Sequence, residues 1–173
     1  MKLLLLFFVF AAFCYTGYYL WKGYHTRKKF FADLLAFCEH LLIEISFSKN
    51  TVRNIINTYG SGYGRHFRDV LMNYQKLLDE KSDIKREKIE TIFSNKRSFI
   101  VPFKLKPNEM SEIAEFFYEL GRHGSAQERE KIENKKITFD TFFNSAVAAM
   151  KRDASIYLKL FILIGAGAVI LLL

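Results

Sequence analysis

The charged residues of this chain are concentrated in its middle, and both ends are apolar. From Leu3 to Trp21 there are 19 successive residues without Asp, Glu, Lys, Arg or His, and the 14 residues Leu160–Leu173 are also uncharged. An α-helix rises about 1.5 Å per residue, so the first stretch covers about 28 Å of a bilayer core that is roughly 30 Å thick. The second covers about 27 Å if it begins at Ile156, with Lys159 reaching the interface. Both ends are therefore predicted to be transmembrane helices.

A cleaved signal peptide is the alternative for the first stretch, because a lysine precedes an apolar run of suitable length. A peptidase needs small residues at the cleavage point, but Phe13, Tyr15 and Tyr18 occupy that region. We therefore expect a retained anchor, with Trp21 and Tyr24 in the aromatic belt where the span meets the head groups.

The charges beside the two spans predict their orientation. Cations follow the first span closely and precede the second, whereas only Lys2 lies on the other side of the first span. The positive-inside rule then places the middle of the chain in the cytosol. The predicted membrane-interface residues are Trp21, Lys22, Arg27, Lys28, Lys29 and Lys159.

The middle region is basic, which raises the question of nucleic-acid binding. Residues 22–159 contain all but one of the 26 Lys and Arg together with all 18 Asp and Glu, a net charge of +7. The signs are mixed, and no basic stripe with interleaved aromatics is evident. Anionic lipid is the simpler partner for the cations beside the anchors. No nucleic-acid partner is expected, although a membrane-tethered nucleic-acid binder stays open as an alternative function.

The spacing of apolar residues predicts an all-α fold. A stripe at steps of three and four from Phe30 to Ile45 extends the first anchor into a cytosolic helix. Thr51 is predicted to cap a short helix that runs through Asn57 and ends at a glycine cluster. A third helix is expected from about Arg65 to Glu80, with one apolar and one charged face.

The second half of the middle region continues this pattern. Lys81–Arg97 is predicted to be an amphipathic helix, and the apolar run Phe99–Leu105 an extended linker around its proline. Pro107 opens a helix that stops at Gly121. Ser125 and Glu128 have the spacing of a capping box and begin a last helix that continues without a break signal to Leu173. The expected divisions are an anchor at 1–24, a cytosolic helical bundle at 25–155, and a second anchor at 156–173.

Motifs that carry catalysis or bind cofactors are not found in the sequence. The glycine cluster at 60–64 follows no apolar strand and lacks the Lys-Ser/Thr pair of a nucleotide-binding loop, so a turn is expected. His40 and Glu44 lie one helical turn apart, but further metal ligands at matching spacing are not evident. Cys38 is expected to be a small core residue. We expect a non-enzyme with no cofactor and no metal.

Several short motifs resemble the stage III sporulation protein AB family of endospore-forming bacteria. They are the run Glu39–Phe47 in the first helix and the segment Ile113–Gln127, in which Leu120-Gly121 precedes a Gln. The order of anchor, basic helix, helical middle and second anchor is also similar to that family. Two positions depart from its pattern, because Gly124 replaces a usual acidic residue and the only tryptophan is Trp21 rather than one in the middle region.

The resemblance implies a non-catalytic membrane platform or scaffold in the channel complex between mother cell and forespore. Its domain would resemble the platform protein of type II secretion systems, in the outer forespore membrane and facing the mother-cell cytosol. The implied partners are a cytosolic secretion-type ATPase and other membrane subunits of the complex, and a homo-oligomer stays open. The candidate contact residues are Glu44, Gly121, Arg122 and Gln127. A small self-assembling protein that permeabilises membranes is the other alternative.

Overall fold

A computed structural model describes residues 2–47, 50–79, 86–93, 105–122 and 124–172. These residues form α-helices and short turns, and no strand occurs among them. The all-α prediction is therefore confirmed for this part of the chain. The helices are α1 (Lys2–Phe47), α2 (Val52–Tyr59), α3 (Arg65–Asp79), α4 (Arg86–Phe93), α5 (Pro107–Glu119), α6 (Ser125–Ala149) and α7 (Ser155–Leu172), with a 3₁₀ turn at Gly60–Gly62 and a π-helical turn at Met150–Ala154.

The described residues divide into two compact units. One, called the terminal unit below, contains the chain up to Lys28 together with Ser145 and the residues after it. The other, called the central unit, contains the described residues of Lys29–Arg97 and Leu105–Asn144. Helices α1 and α6 each contribute to both units.

The core of the central unit is built around aromatic side chains. Phe37 of α1 is fully buried, and its ring centroid lies 5.8 Å from that of Phe67 and 6.0 Å from that of Phe117. Phe116 and Phe139 join α5 to α6 with centroids 5.3 Å apart. Burial of large aromatic rings and their edge-to-face contacts both favour this packing. The apolar stripe predicted on α1 is therefore a core face.

Local signals place the helix ends of the central unit. The Thr51 hydroxyl accepts a hydrogen bond from the Asn54 N–H and caps α2 as predicted. Pro107 is the first residue of α5. Gly121 follows the end of α5 with φ of +80°, a conformation that glycine adopts at little cost and other residues rarely take.

Close glycine contacts join α1 to α7 in the terminal unit. A Cβ added to Gly17 would lie 2.9 Å from the Cβ of Phe161. On α7, a Cβ added to Gly165 would lie 3.1 Å from the Cβ of Phe13. Further along, the rings of Tyr24 and Tyr157 stack at 6.2 Å. Small residues allow two backbones to approach closely, which is a common way for apolar helices to pack in membranes.

The outer surface of the terminal unit is also apolar. Large exposed hydrophobic side chains occur on α1 and α7, including Phe7, Phe8, Leu163 and Leu171, which are between 64% and 88% exposed. Among the described residues, the helical stretch Ser125–Leu171 is long and apolar enough at its C-terminal end to cross a membrane. An apolar surface this extensive is typical of a protein face that meets lipid or another protein rather than water.

The predicted unbroken helix from Ser125 is interrupted by the π-helical turn at Met150–Ala154. Ile132, Phe139, Ala146 and Ala154 are buried at helical spacing before and within this turn, whereas Tyr157 after it is 39% exposed. A π turn holds one residue more than an α turn, so the residues after it face a different direction. The chain therefore stays helical from Ser125 to Leu172, as predicted, but with a local change of geometry that the sequence did not indicate.

Other predictions are only partly covered by the described residues. The helix expected at Lys81–Arg97 is described only as α4. The run predicted as a linker lies outside the described residues except for Leu105, which is buried. Helix α2 extends to Tyr59, two residues beyond the predicted end at Asn57, and the glycine cluster that follows is a turn as expected.

Candidate partner-binding groove

A groove of about 520 Å³ lies on the central unit where α2 and α3 meet the turn between α5 and α6. Its apolar residues come from α1, α2, α3 and the end of α5, and α6 contributes polar ones. The lining residues are Ile45, Asn50, Thr51, Val52, Arg53, Ile55, Tyr74, Leu78, Leu120, Gly121, Ser125 and Glu128. Volumes of this size are typical of protein sites that accept a ligand or several side chains of a partner.

A buried hydrogen bond joins two of the helices beside the groove, α3 and α5. The Tyr74 hydroxyl on α3 donates to the Phe117 carbonyl of α5 at 2.9 Å. Burial raises the pKa of Tyr74, Arg122 opposes that rise and Glu128 adds to it, so the hydroxyl keeps its proton and remains a donor. The wall formed by α3 and α5 is therefore tied together from within.

Glu128 is a buried acid at the side of this groove. Its side chain is 6% exposed, and Oε1 accepts a hydrogen bond from the Gly121 N–H at 2.7 Å. Its second oxygen, Oε2, is buried and has no hydrogen-bond partner in the part of the chain that the structure describes. The capping-box prediction has this carboxylate accept a hydrogen bond from the backbone at the start of its own helix. In the structure it accepts one from the turn that follows α5.

The cations near Glu128 are engaged with other groups. Lys135 donates to Glu112 at 2.6 Å and to Glu115 at 3.2 Å. Lys131 donates to Glu119 at 3.2 Å. These three acids lie on the neighbouring helix α5, so the lysines join α6 to α5.

At the rim of the groove, the charges of Arg53 and Asp79 compensate each other in an ion pair. The guanidinium of Arg122 lies over the Tyr118 ring, 4.0 Å from its centroid. Glu128 is therefore the groove-lining charge without a described salt-bridge partner.

Glu44, one of the predicted contact residues, belongs to a polar cluster beside the groove. Its carboxylate accepts hydrogen bonds from the Tyr59 hydroxyl at 2.8 Å and from the Asn50 amide at 2.6 Å. The His40 ring, one turn earlier on α1, stacks on the Tyr59 ring, and its Nδ1 atom is hydrogen-bonded to the Tyr63 hydroxyl at 2.5 Å. These hydrogen bonds join α1 to α2 and to the residues that flank it.

The structure brings together some of the predicted contact residues. Gly121 lines the groove and binds Glu128 through its N–H. Arg122 follows it in the chain, and Glu44 is one hydrogen bond away from the groove through Asn50. Gln127 is exposed on α6 beside Glu128. Whether any of them contacts a partner stays a prediction.

Sequence reasoning missed Glu128 as a site residue, since it was identified only as part of a capping signal. An acid at that spacing usually lies at an exposed helix start. Its burial depends on the packing of α5 and α6, which no local pattern in the sequence records.

The predicted membrane-interface residues lie on the helices of both units. In the terminal unit, the Trp21 ring lies 4.1 Å from that of His25, and the Lys22 ammonium lies 6.0 Å from the centre of the Tyr18 ring. Lys159 is exposed on α7. The two remaining interface cations of this unit are Arg27 and Lys28, whereas Lys29 belongs to the central unit.

The described residues contain no group of three or more His, Cys, Asp or Glu side chains that could hold a metal ion. Cys38 is fully buried in the central unit, and burial raises the pKa of its thiol to about 12. Its expected place in the core is confirmed.

Comparison with protein families connects these features to a biological process. The family model for stage III sporulation protein AB matches residues 2–173. The chain belongs to the stage III sporulation protein AB family. No curated protein and no solved structure matches it. Membership supports a role in sporulation, and the resemblance noted in the sequence is confirmed over the whole matched range.

Proposed function

We propose that this chain is a non-catalytic membrane platform of a sporulation-specific, secretion-like channel complex, and that its central unit docks a cytosolic secretion-type ATPase. In this proposal both ends of the chain span the outer forespore membrane. The central unit then faces the mother-cell cytosol, where it also meets other membrane subunits of the complex.

The observation that carries this proposal is the apolar pairing of α1 with α7. Gly17 and Gly165 allow the two helices to pack closely, while side chains on their outer faces, such as Phe8 and Leu163, are exposed and apolar. Lipid solvates such an outer face, whereas water does not. Since α7 is apolar enough to cross a membrane, its close contact with the first part of α1 supports a second span there.

The charge distribution supports the proposed orientation. Within the terminal unit the cations of α1 follow its apolar stretch, while Lys151, Arg152 and Lys159 precede or begin that of α7. Tyr24 stacks on Tyr157, so these two basic regions lie at the same end of the helix pair. Both spans therefore favour the same cytosolic side.

Docking of a partner is supported by the groove on the central unit. Its walls are largely apolar. The chain as a whole is basic, but the groove-lining charge without a described salt-bridge partner is the acid Glu128. A rigid concave surface with one polar anchor is typical of sites that bind a partner.

Membrane topology gives the first test. Single cysteines placed at the two ends and in the central unit should show opposite accessibility to a membrane-impermeant thiol reagent in intact vegetative cells that produce the chain in the plasma membrane. The outside of such a cell corresponds topologically to the space between the two forespore membranes, which the reagent does not reach after engulfment. The central unit should be protected and both ends labelled. Labelling of the central unit from outside would refute the proposed orientation.

Binding of the ATPase gives the second test. The full chain in lipid nanodiscs should retain the purified secretion-type ATPase of the same organism, and empty nanodiscs should not. The same nanodiscs should bind no duplex DNA at low salt, where electrostatic binding is strongest. Retention of DNA with no retention of the ATPase would favour the nucleic-acid alternative.

A further inference from the structure

The buried carboxylate of Glu128 carries a more specific inference about what enters the groove. Its Oε2 atom is buried without a hydrogen-bond partner in the described residues, although the same side chain lines the groove. Burying a charged oxygen without a partner is unfavourable, and buried polar groups in native proteins are nearly always hydrogen-bonded. An exception of this kind in a concave site points to a group that binds there.

The chain itself does not supply that group from the nearby lysines. Lys131 and Lys135 lie on the same helix but donate to the carboxylates of α5. Arg53, at the rim, is ion-paired with Asp79. Glu128 is therefore the groove-lining charge that no described salt bridge compensates, on a chain whose formal net charge is +8.

The shape and composition of the groove indicate the chemistry of its occupant. The walls of the groove that Glu128 lines include Ile55, Leu78 and Leu120, which suit an aliphatic chain. Lysine and arginine combine an aliphatic stem with a cationic end, so one such side chain matches both the walls and the acid. A volume of about 520 Å³ also leaves room for apolar neighbours of that residue.

We propose that the groove receives a lysine or arginine side chain from an apolar segment of a partner protein, and that this cation pairs with Glu128. This inference rests on the proposed function in that the docked ATPase is the first candidate for the partner. It assigns Glu128 a role in binding, in which Gly121 holds one carboxylate oxygen and the other, which has no partner among the described residues, pairs with the incoming cation.

A substitution that keeps the shape and removes the charge tests this assignment. Glu128→Gln retains an oxygen that accepts the Gly121 hydrogen bond, and Glu130→Gln changes an exposed acid on the same helix as a control. In nanodiscs, Glu128→Gln should weaken ATPase binding at least about tenfold, since loss of one member of a buried charge pair is costly. The thermal midpoint of the uncomplexed protein should stay equal or rise, because an unpaired buried charge has been removed. Glu130→Gln should change neither quantity.

A cross-link identifies the occupant without assuming that it is the ATPase. A photoreactive residue in place of Ser125, at the groove rim, is compared in sporulating cells with one in place of the exposed Asn134 on the same helix. The peptide captured from the Ser125 position should contain a lysine or arginine within an apolar segment. Its yield should fall in the Glu128→Gln background, and substitution of its basic residue should show coupling to Glu128→Gln in a double-mutant cycle.

The outcomes separate the groove assignment from the platform proposal. If the ATPase binds the wild type and Glu128→Gln equally, the platform proposal stands and the groove assignment fails. If the ATPase does not bind but another protein is captured through a basic residue in a Glu128-dependent way, the groove assignment stands and ATPase docking fails. Capture of this chain itself, capture of a segment without a cation, or no capture at Ser125 overturns the groove assignment.

Discussion

Replacing Gly17 with alanine is expected to loosen the pairing of α1 with α7. The added Cβ would lie 2.9 Å from the Phe161 Cβ, whereas carbon atoms in favourable contact are about 3.5–4.0 Å apart. The helices must therefore separate by about 0.6 Å or more at this point. Overpacking of this kind typically costs about 1–3 kcal/mol, and the higher helix propensity of alanine recovers up to about 1 kcal/mol.

Gly167 provides the matched control for this experiment. It lies in α7, and a Cβ added there meets no heavy atom within 4 Å. Gly167→Ala should therefore gain helix propensity without a packing penalty. The stability of the two variants should differ by about 1–3 kcal/mol, which is the cost of the close contact alone.

The measurement is unfolding of the full chain in mild detergent by added SDS. Trp21, the only tryptophan, lies in α1 one turn after Gly17, and its fluorescence reports on this part of the terminal unit. The SDS midpoint of Gly17→Ala should lie below that of the wild type, and that of Gly167→Ala at or above it. Equal shifts in the two variants would refute the proposed packing of α1 on α7.

Three further predictions concern the central unit. Phe37→Ala should destabilise it by about 3–5 kcal/mol in chemical denaturation, as expected for a buried aromatic ring, while Met72→Ala, at a side chain that is 53% exposed, should change it little. In a Cys14→Ser background, Cys38 should resist alkylation at pH 8 until the protein unfolds, because burial raises its pKa to about 12 and covers its sulfur; rapid labelling of the folded protein would contradict this. Burial also raises the pKa of Asp33, and a hydrogen bond from the Gly64 N–H opposes this rise. The stability linked to protonated Asp33 is therefore present at low pH and is lost as the pH rises through the folded-state pKa. Asp33→Asn should therefore raise the thermal midpoint more at pH 7 than at pH 4, and an equal effect at both would count against this assignment.

Much of the helical architecture followed from local sequence signals. Thr51 and Pro107 begin helices because one caps a free N–H and the other lacks an N–H that needs a partner. Gly121 ends α5 because its positive φ suits glycine. The spacing of apolar residues on α1 and α3 predicted the faces that form the core, because the period of a helix determines which residues share a side.

The candidate site depended on contacts that local patterns do not contain. The groove is assembled from segments far apart in the chain, from Ile45 to Glu128. Burial of Glu128 results from the way the α5–α6 turn folds over its carboxylate, which also explains why its predicted capping role was wrong. The N-terminal span remains a prediction supported by its packing on α7, because apolar length alone does not separate an anchor from a signal sequence.

The π-helical turn at Met150–Ala154 determines which side of α7 meets α1. If this segment kept all its residues but took regular α geometry, everything after it would rotate by about 100° and shift by about 1.5 Å. Gly165 would then point away from Phe13, and a bulkier residue would take its place. The π turn therefore keeps the glycine face of α7 directed toward α1, and a deletion of one residue within it would leave that face in place, because the remaining residues form an α turn with nearly the same overall rotation.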